Sequence, residues 1–354
     1  MSGSEEAAGT TIPRTGPERT VRRMRDIARL AGVSESTVSR ALADSPLVNE
    51  ETKARVRRIA QEHSYVVNEQ ARNFRLKRTG TIAVVIPIDD FEVQTLSDPF
   101  FMELLGSIAD ALNARGFDLL LSRVDAASSG WRKAMHDTRR ADGTILIGQS
   151  TQHRAINRLA DADLPLVVWG GRLPDQRYPT VGCDNERGGL LATEHLIACG
   201  RRRIAFLGHR PLPEVELRYR GHVQALRAAG MQVDPDLAYD SRFSSDDARH
   251  AVTRMLAATD RPPIDALFAS SDVLAMAAIM ALKEHGLSVP EDVAVVGFDD
   301  IALAAWYNPP LTTVRQHIAE GGRLLVERMM ERLEGRKVAP VMLAPELVIR
   351  GSSV

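Results

Sequence analysis

The chain has 354 residues, 44% hydrophobic and 26% charged, a balance that excludes fibrous, low-complexity and wholly disordered classes. Its net charge of −1 hides an asymmetry, because residues 20–80 hold 13 Lys and Arg against 7 Asp and Glu and the remainder is therefore acidic. A basic head on a mildly acidic body fits a protein that touches nucleic acid with one end only.

Residues 1–22 are polar, without an apolar run, and read as a disordered lead-in rather than a secretory signal. The stretch 26–42, D-I-A-R-L-A-G-V-S-E-S-T-V-S-R-A-L, predicts two short helices joined by a glycine turn, the layout of a helix-turn-helix. Ala28 and Ala31 let the helices cross closely, and Gly32 supplies the left-handed turn residue. Val33, Val38, Ala41 and Leu42 give the second helix an apolar underside. Its other face carries Ser34, Ser36, Thr37, Ser39 and Arg40, short donors and one long cation suited to phosphates and base edges. Asn49, followed by Glu50 and Glu51, reads as the cap of a third helix running to about His63. Residues 68–76 form a fourth, short helical candidate with almost no apolar face, expected to order only against DNA or a second copy. These boundaries make 23–67 a DNA-binding head and 68–80 a hinge and linker.

From 81 onward the texture changes. Short apolar runs at 81–88, 117–122, 144–147, 166–169, 203–207, 266–269, 293–297 and 346–349 read as buried strands. Amphipathic helices lie between most of them, including one over 98–115 with Asp98 as cap and Pro99 in its first turn. This alternation predicts parallel sheets covered on both faces, and the strands are too many for one compact sheet. The expected class is α/β: an all-α head plus a body, 81–354, of two doubly wound lobes.

No catalytic or cofactor signature accompanies this body. Gly170-Gly171 and Gly188-Gly189 lack dinucleotide spacing, and no Walker pattern, nucleophile elbow or His-carboxylate metal cluster is present. Cys183 and Cys199, the only cysteines, form neither a disulfide framework nor a metal spacing, and are expected as buried small hydrophobes. The most apolar window, 273–282, is too short to span a bilayer. Ligands of doubly wound folds sit at the carboxyl ends of strands. Asp98, Phe100, Phe101, Trp169, Arg218, Ser270, Ser271, Asp272, Asp299 and Asp300 fall near such ends, each also open to reading as a cap or loop residue. A cleft of Arg, Asp, Ser, Gln and flat aromatics suits a sugar, whose hydroxyls pair with charged groups and whose ring face stacks.

The order D-I-A-R-L-A-G-V-S-E-S-T-V-S-R-A-L, V-N-E-E-T-K-A-R-V, Y-V-V-N-E-Q-A-R-N-F, R-T-G-T-I-A-V-V-I-P closely resembles the lactose/galactose repressor (LacI/GalR) family of bacterial transcription regulators. The body motifs S-D-P-F-F-M-E-L-L, A-D-G-T-I-L-I-G, V-G-C-D-N-E-R-G-G, R-Y-R-G-H, V-P-E-D-V-A-V-V-G-F-D-D and P-P-L-T-T-V-R-Q agree, and the likeness spans about 23 to 350. The resemblance implies phosphate contacts at Ser34, Thr37, Ser39 and Asn49, and base-reading positions at Glu35, Ser36 and Arg40, with Arg40 the guanine reader. It implies that 68–76 is a hinge helix entering the minor groove, with Asn68 at its start and Ala71 and Phe74 facing the groove. Phe74 stands where the family usually has leucine, and Val67 where it has proline. The body resembles periplasmic sugar-binding proteins, and the positions matching the family's effector contacts are Phe100, Trp169, Cys183, Arg218, Phe268, Ser271, Asp299 and Gln316. Gly170 occupies a position where some sugar-responsive members carry an acid.

The resulting expectation is a cytoplasmic, dimeric repressor without cofactor or metal. It would bind a near-palindromic double-stranded operator under control of a small-molecule effector, a sugar or sugar derivative. The helices at 98–115 and 273–282 are candidates either for the dimer face or for plain lobe core. A transport-type sugar-binding protein is the rival, opposed by the basic head. An enzyme is the third possibility, opposed by the missing catalytic set.

Overall fold

The computed structural model describes residues 23–65, 79–88, 94–125, 140–258 and 263–354. The chain divides into two compact units, Met1–Lys77 and Arg78–Val354, with the boundary inside the expected linker.

In the first unit, α1 (Met24–Ala31), α2 (Glu35–Leu42) and α3 (Glu50–Glu62) enclose a small core. Ile27, Ala28 and Ala31 meet Val38 and Ala41 of α2, and Val56, Ile59 and Ala60 of α3 close it. Gly32 adopts φ 66° and donates its N–H to the last carbonyls of α1, as the turn requires. The expected lead-in and fourth helix lie outside the described residues.

The second unit runs β1 (Thr81–Ile88), α4 (Pro99–Asn113), β2 (Asp118–Asp125), β3 (Gly143–Ile147), α5 (His153–Asp161), β4 (Leu166–Trp169), β5 (Thr180–Cys183) and α6 (Asn185–Ala198). It continues with β6 (Ile204–Leu207), α7 (Pro213–Ala228), β7 (Ala238–Tyr239), α8 (Ser245–Ala257), β8 (Ala266–Ala269), α9 (Asp272–Glu284) and β9 (Ala294–Asp299). The chain ends with β10 (Thr312–Arg315), α10 (Ile318–Leu333), β11 (Val341–Leu343) and β12 (Glu346–Val348). Two six-stranded sheets result, ordered β11-β5-β4-β3-β1-β2 and β12-β10-β9-β8-β6-β7. Every pairing is parallel except β12 on β10. The chain therefore passes between lobes three times: after β5, after β10 and between β11 and β12. That arrangement places the carboxyl ends of β3 and β4 opposite those of β6 and β9.

Four strands were not foreseen: β5, β7, β10 and β11. None has more than four residues, and Thr180-Val181-Gly182-Cys183 and Thr312-Thr313-Val314-Arg315 carry no continuous apolar run. Tertiary pairing fixes them where local pattern is silent. Of the two helices weighed as dimer face or core, α9 is core, burying Leu274 to Ile279, Ala281 and Leu282, while Met280 stays exposed. Helix α4 buries Phe101, Leu104, Leu105 and Ile108 and exposes Met102, Glu103 and Gly106.

Helices α6 and α7 cross closely enough that two glycines become obligatory. A Cβ on Gly189 would overlap the Arg218 carbonyl, and one on Gly221 would overlap that of Glu186. Beneath this crossing His222 is buried, bonded through Nδ1 to Thr193 Oγ1 at 3.0 Å and packed among Phe206, Tyr219 and Phe268. Burial pushes its imidazole down to about 3. A histidine depressed in the folded state contributes stability above its unfolded value, near 6.5, that is lost as pH falls towards 3. Urea unfolding of His222→Gln should therefore show a shallower loss between pH 6.5 and 4.5 than the wild type. The wild-type slope attributable to this group approaches about 1.4 kcal/mol per pH unit. Parallel slopes would mean that the imidazole charges without cost.

Candidate functional site

Two sites stand out, one in each unit. In the head, α2 is capped by Ser34, whose Oγ accepts the Thr37 N–H at 3.1 Å and lies 2.7 Å from Ser36 Oγ and 2.8 Å from Thr37 Oγ1. Ser34, Glu35, Ser36 and Arg40 are exposed, Thr37 and Ser39 partly so, opposite buried Val38 and Ala41. Asn49 caps α3, with Oδ1 accepting the Thr52 N–H at 2.9 Å. The first turns of α2 and α3 thus present helix N-termini, which favour phosphate. Sequence reading missed what holds the connecting loop. Asp44, at φ 56°, takes Lys53 Nζ at 3.1 Å and Arg57 Nη2 at 2.6 Å, and Lys53 also reaches Glu50 at 2.7 Å. Asn68, Ala71 and Phe74 lie outside the described residues.

In the second unit a cavity of about 100 Å³ opens between the lobes, room for several waters. Phe100, Trp169, Arg218, Asp299 and Gln316 line it together. Trp169 ends β4 and leans on Phe100, ring centroids 6.1 Å apart. Its indole occupies space that Gly321 of α10 leaves free, since a Cβ there would overlap the ring. Arg218, in the second turn of α7, is buried and lines the cavity. Its Nε donates to Asn185 Oδ1 at 2.8 Å, its Nη1 to the Ser270 carbonyl, and its guanidinium lies 3.8 Å over the Phe298 ring. Asp299 closes β9 at φ 124°, accepts Gln316 Nε2 at 2.5 Å and lies 3.9 Å from Arg218 Nη1. Burial pushes its carboxyl up to about 7, against the pull of Arg218 and with the help of Asp98.

Cys183, Phe268 and Ser271 do not line the cavity. Cys183 is buried behind Arg218, where burial pushes its thiol up to about 12. Phe268 is core beneath α7, and Ser271 is spent capping α9, its Oγ accepting the Leu274 N–H at 3.2 Å. Strand ends supply both surfaces and supports, and position along the chain does not separate them. Gln94, Ser150, Leu212, Glu214 and Phe243 line the cavity and went unremarked in the sequence. Leu212 and Glu214 follow β6 directly, so the strand-end rule reaches them. Phe243 follows β7, a strand of two residues with no sequence signal.

Glu214 comes from the first turn of α7, and its Oε1 accepts the Gln149 N–H from the other lobe at 3.3 Å. Gln149 is buried and locked. Its amide donates to the Gly171 carbonyl at 2.9 Å and to Tyr178 Oη at 2.8 Å, and accepts the Gly171 N–H at 3.0 Å. Burial pushes the Glu214 carboxyl above the usual range, opposed by Arg218. Among the described residues no cluster of three or more potential metal ligands occurs, and no helix is long and apolar enough to cross a membrane.

Residues 23–68 match the family described as bacterial regulatory proteins, lacI family, and residues 193–353 match the periplasmic binding protein-like domain. The HTH-type transcriptional regulator CelR of Thermobifida fusca is 34% identical over 338 residues, covering 92% of this chain and 96% of the relative. The HTH-type transcriptional repressor CytR of Escherichia coli K12 is 32% identical, covering 95% and 97%. Among solved structures, the lac repressor dimer bound to operator and the anti-inducer ONPF superimposes with TM-score 0.81 at 26% identity, covering 94% of this chain and 99% of that one. A CelR–cellobiose complex gives TM-score 0.70 at 31% identity over 93% and 99%. A helix-turn-helix head and a two-lobed body with a polar, aromatic cleft, joined to such extensive identity, fix the assignment: the chain belongs to the LacI family of bacterial transcriptional regulators.

Proposed function

We propose that this chain is a dimeric transcriptional repressor whose grip on operator DNA is set by a sugar or sugar derivative held between the lobes. The observation that carries the reading is the pairing of an exposed, hydroxyl-rich α2 face bearing Arg40 with a cleft that joins Arg218, Asp299 and Gln316 to Phe100 and Trp169. The first suits a major groove, since serine and threonine reach phosphates and a guanidinium fork fits guanine O6 and N7. The second suits a pyranose, whose hydroxyls meet charge-assisted partners and whose face meets a ring. CelR, solved with cellobiose, and the lac repressor dimer, solved on its operator, support this division of labour.

The proposed coupling is a population shift. A ligand that contacts both lobes stabilises one inter-lobe arrangement over another, and only that difference changes operator affinity. Ser34, Thr37, Ser39 and Asn49 position the head on phosphates; Glu35, Ser36 and Arg40 read bases; Asn68, Ala71 and Phe74 serve the hinge at the minor groove. The protein works in the cytoplasm, on the nucleoid, and catalyses nothing.

Duplex selection from a random pool, followed by gel shift, tests the reading. A near-palindromic site should be enriched and bound by two copies. Arg40→Ala should cost about 1–3 kcal/mol and relax preference at one base pair per half-site. Uniform weakening on every duplex would move Arg40 to the phosphate backbone. A monomer that enriches no sequence would end the proposal.

A further inference from the structure

The body takes hold of the chain two residues before its first strand. β1 pairs with β2 from Thr81 and with β3 from Ile82, and the sheet reaches back only to the Gly80 carbonyl, which accepts the Asp118 N–H at 2.8 Å. One side chain holds the amides upstream of that point. Asp142, the residue before β3, accepts the Thr79 N–H at 2.6 Å and the Thr79 hydroxyl at 3.0 Å on Oδ1, and the Gly80 N–H at 2.9 Å on Oδ2. Gly80 stands at φ 69°, a left-handed turn that lets two successive N–H groups converge on one carboxylate. Asp142 is itself fixed. Its own N–H donates to the Thr81 carbonyl at 2.8 Å, and the next residue, Gly143, lies so close to α10 that a Cβ there would overlap the Met329 side chain. Thr79 and Gly80 belong to no helix or strand, and the linker arrives through them; residues 66–78, which join them to the head, lie outside the described residues. Three charge-assisted bonds are thus spent on the point of entry.

We propose that Asp142 is a positioning residue for operator recognition: by clasping Thr79 and Gly80 it fixes where the linker leaves the body, and so the half-site spacing that a dimer accepts. The assignment rests on the reading of the chain as a dimeric repressor. Two heads read two half-sites, and the separation they can span depends on where each linker starts. Without the clasp the linker gains two residues. An extended residue spans about 3.4 Å, close to the rise of one base pair, so each protomer gains the reach of about two base pairs. The ladder from Thr81 onward, and with it the cleft, is left as it was. A clasped linker selects one spacing, and a released one accepts its neighbours. The carboxylate is suited to this where its amide is not. Asparagine would keep an oxygen for Thr79 but turn Nδ2–H towards the Gly80 N–H, losing one of the three bonds.

Gel shift on the full chain tests this, using the duplex enriched by selection and versions of it with the two halves moved one or two base pairs closer or further apart. The wild type should bind its own spacing about tenfold or more tightly than the neighbouring ones, the scale of one charge-assisted hydrogen bond. In Asp142→Ala that preference should fall to within about threefold, with Asp142→Asn between the two. Thr79→Val, which removes one donor from the linker side, should move it in the same direction. The preference is a ratio measured within one variant, so partial unfolding cancels from it. Hydrogen exchange gives the second readout: in Asp142→Ala the Thr79 and Gly80 amides should lose protection while β1 from Ile82 onward keeps it. Exchange spreading through β1 would make Asp142 a support of the sheet and overturn the assignment, as would a spacing preference unchanged in Asp142→Ala. A wild type that enriches a duplex but binds every spacing alike would also overturn it and leave the repressor reading standing. A wild type that enriches no duplex would end both.

Discussion

Replacing Arg218 by methionine is expected to remove ligand binding in the cleft and to destabilise the protein by an amount that grows with pH. Arg218 is buried with three engagements, so methionine keeps part of the packing on Phe298 but strands Asn185 Oδ1 and the Ser270 carbonyl. It also removes the cation nearest Asp299 and Glu214. Breaking one side of a buried charged pair costs about 3–5 kcal/mol, less where the remaining acid can take up a proton. Asp299 titrates at about 7 in the folded chain, far above the unfolded carboxylate near 4. A carboxyl raised on folding adds stability that is full below its unfolded value and is lost as pH climbs through its folded value. Arg218 pulls that folded value down. Without it the value rises further, so the variant keeps losing stability above pH 7, where this group has levelled off in the wild type. Urea unfolding at pH 6 and pH 8.5 should show a deficit larger at pH 8.5 by about 1–2 kcal/mol. A deficit independent of pH would mean that Arg218 acts through packing alone.

The head was legible because its signals are local. Gly32 and Asn49 each satisfy a helix end where the sequence places it, while Ser34, read from the sequence as part of the α2 face, is the cap that precedes that helix. The parallel lobes were legible wherever a strand is buried on both faces, as at Leu166-Val167-Val168-Trp169 and Ala266-Leu267-Phe268-Ala269. Legibility failed for strands whose residues are chosen by their neighbours. Thr313 lies in β10 because its hydroxyl donates to Asp272, and Thr312 because Ser352, Ser353 and Arg350 bond to it from the chain end. Those partners are about 40 residues away, beyond any local window.

The cleft divides in the same way. Aromatic and charged residues at strand ends announced themselves, but a strand end has two sides. Phe268 and Cys183 point beneath α7 while Trp169 and Asp299 face the cavity. Glu214 escaped notice because a glutamate in the first turn of a helix is ordinary, favoured by the macrodipole whatever else it does. Only the approach of Gln149 from the other lobe marks it out. The glycine pairs were read by what they lack, the spacing of a phosphate loop. Their positive content is steric: Gly171 admits the Leu217 side chain, Gly188 the Phe298 ring, and Gly189 the backbone of α7.

Gly189→Ala should consequently be among the most damaging small changes available to the body. Arg218 sits at the crossing point of α6 and α7, and its carbonyl occupies the position a methyl on Gly189 would take. A backbone carbonyl within a helix cannot rotate aside, so the helices must separate. Overpacking of this kind costs about 1–3 kcal/mol and occasionally more, and the expected loss lies near the upper end. The comparison variant is Gly286→Ala, at φ 79° with open space around its Cβ, where strain alone should cost about 1 kcal/mol. Urea unfolding of the two side by side isolates the steric component. Separation of the helices also shifts Arg218 relative to Asp299, so Gly189→Ala should weaken whatever ligand the cleft binds, and Gly286→Ala should not. Equal stability of the two variants would show that α6 slides along α7 at no cost, and the close crossing would then lose its role in holding the guanidinium.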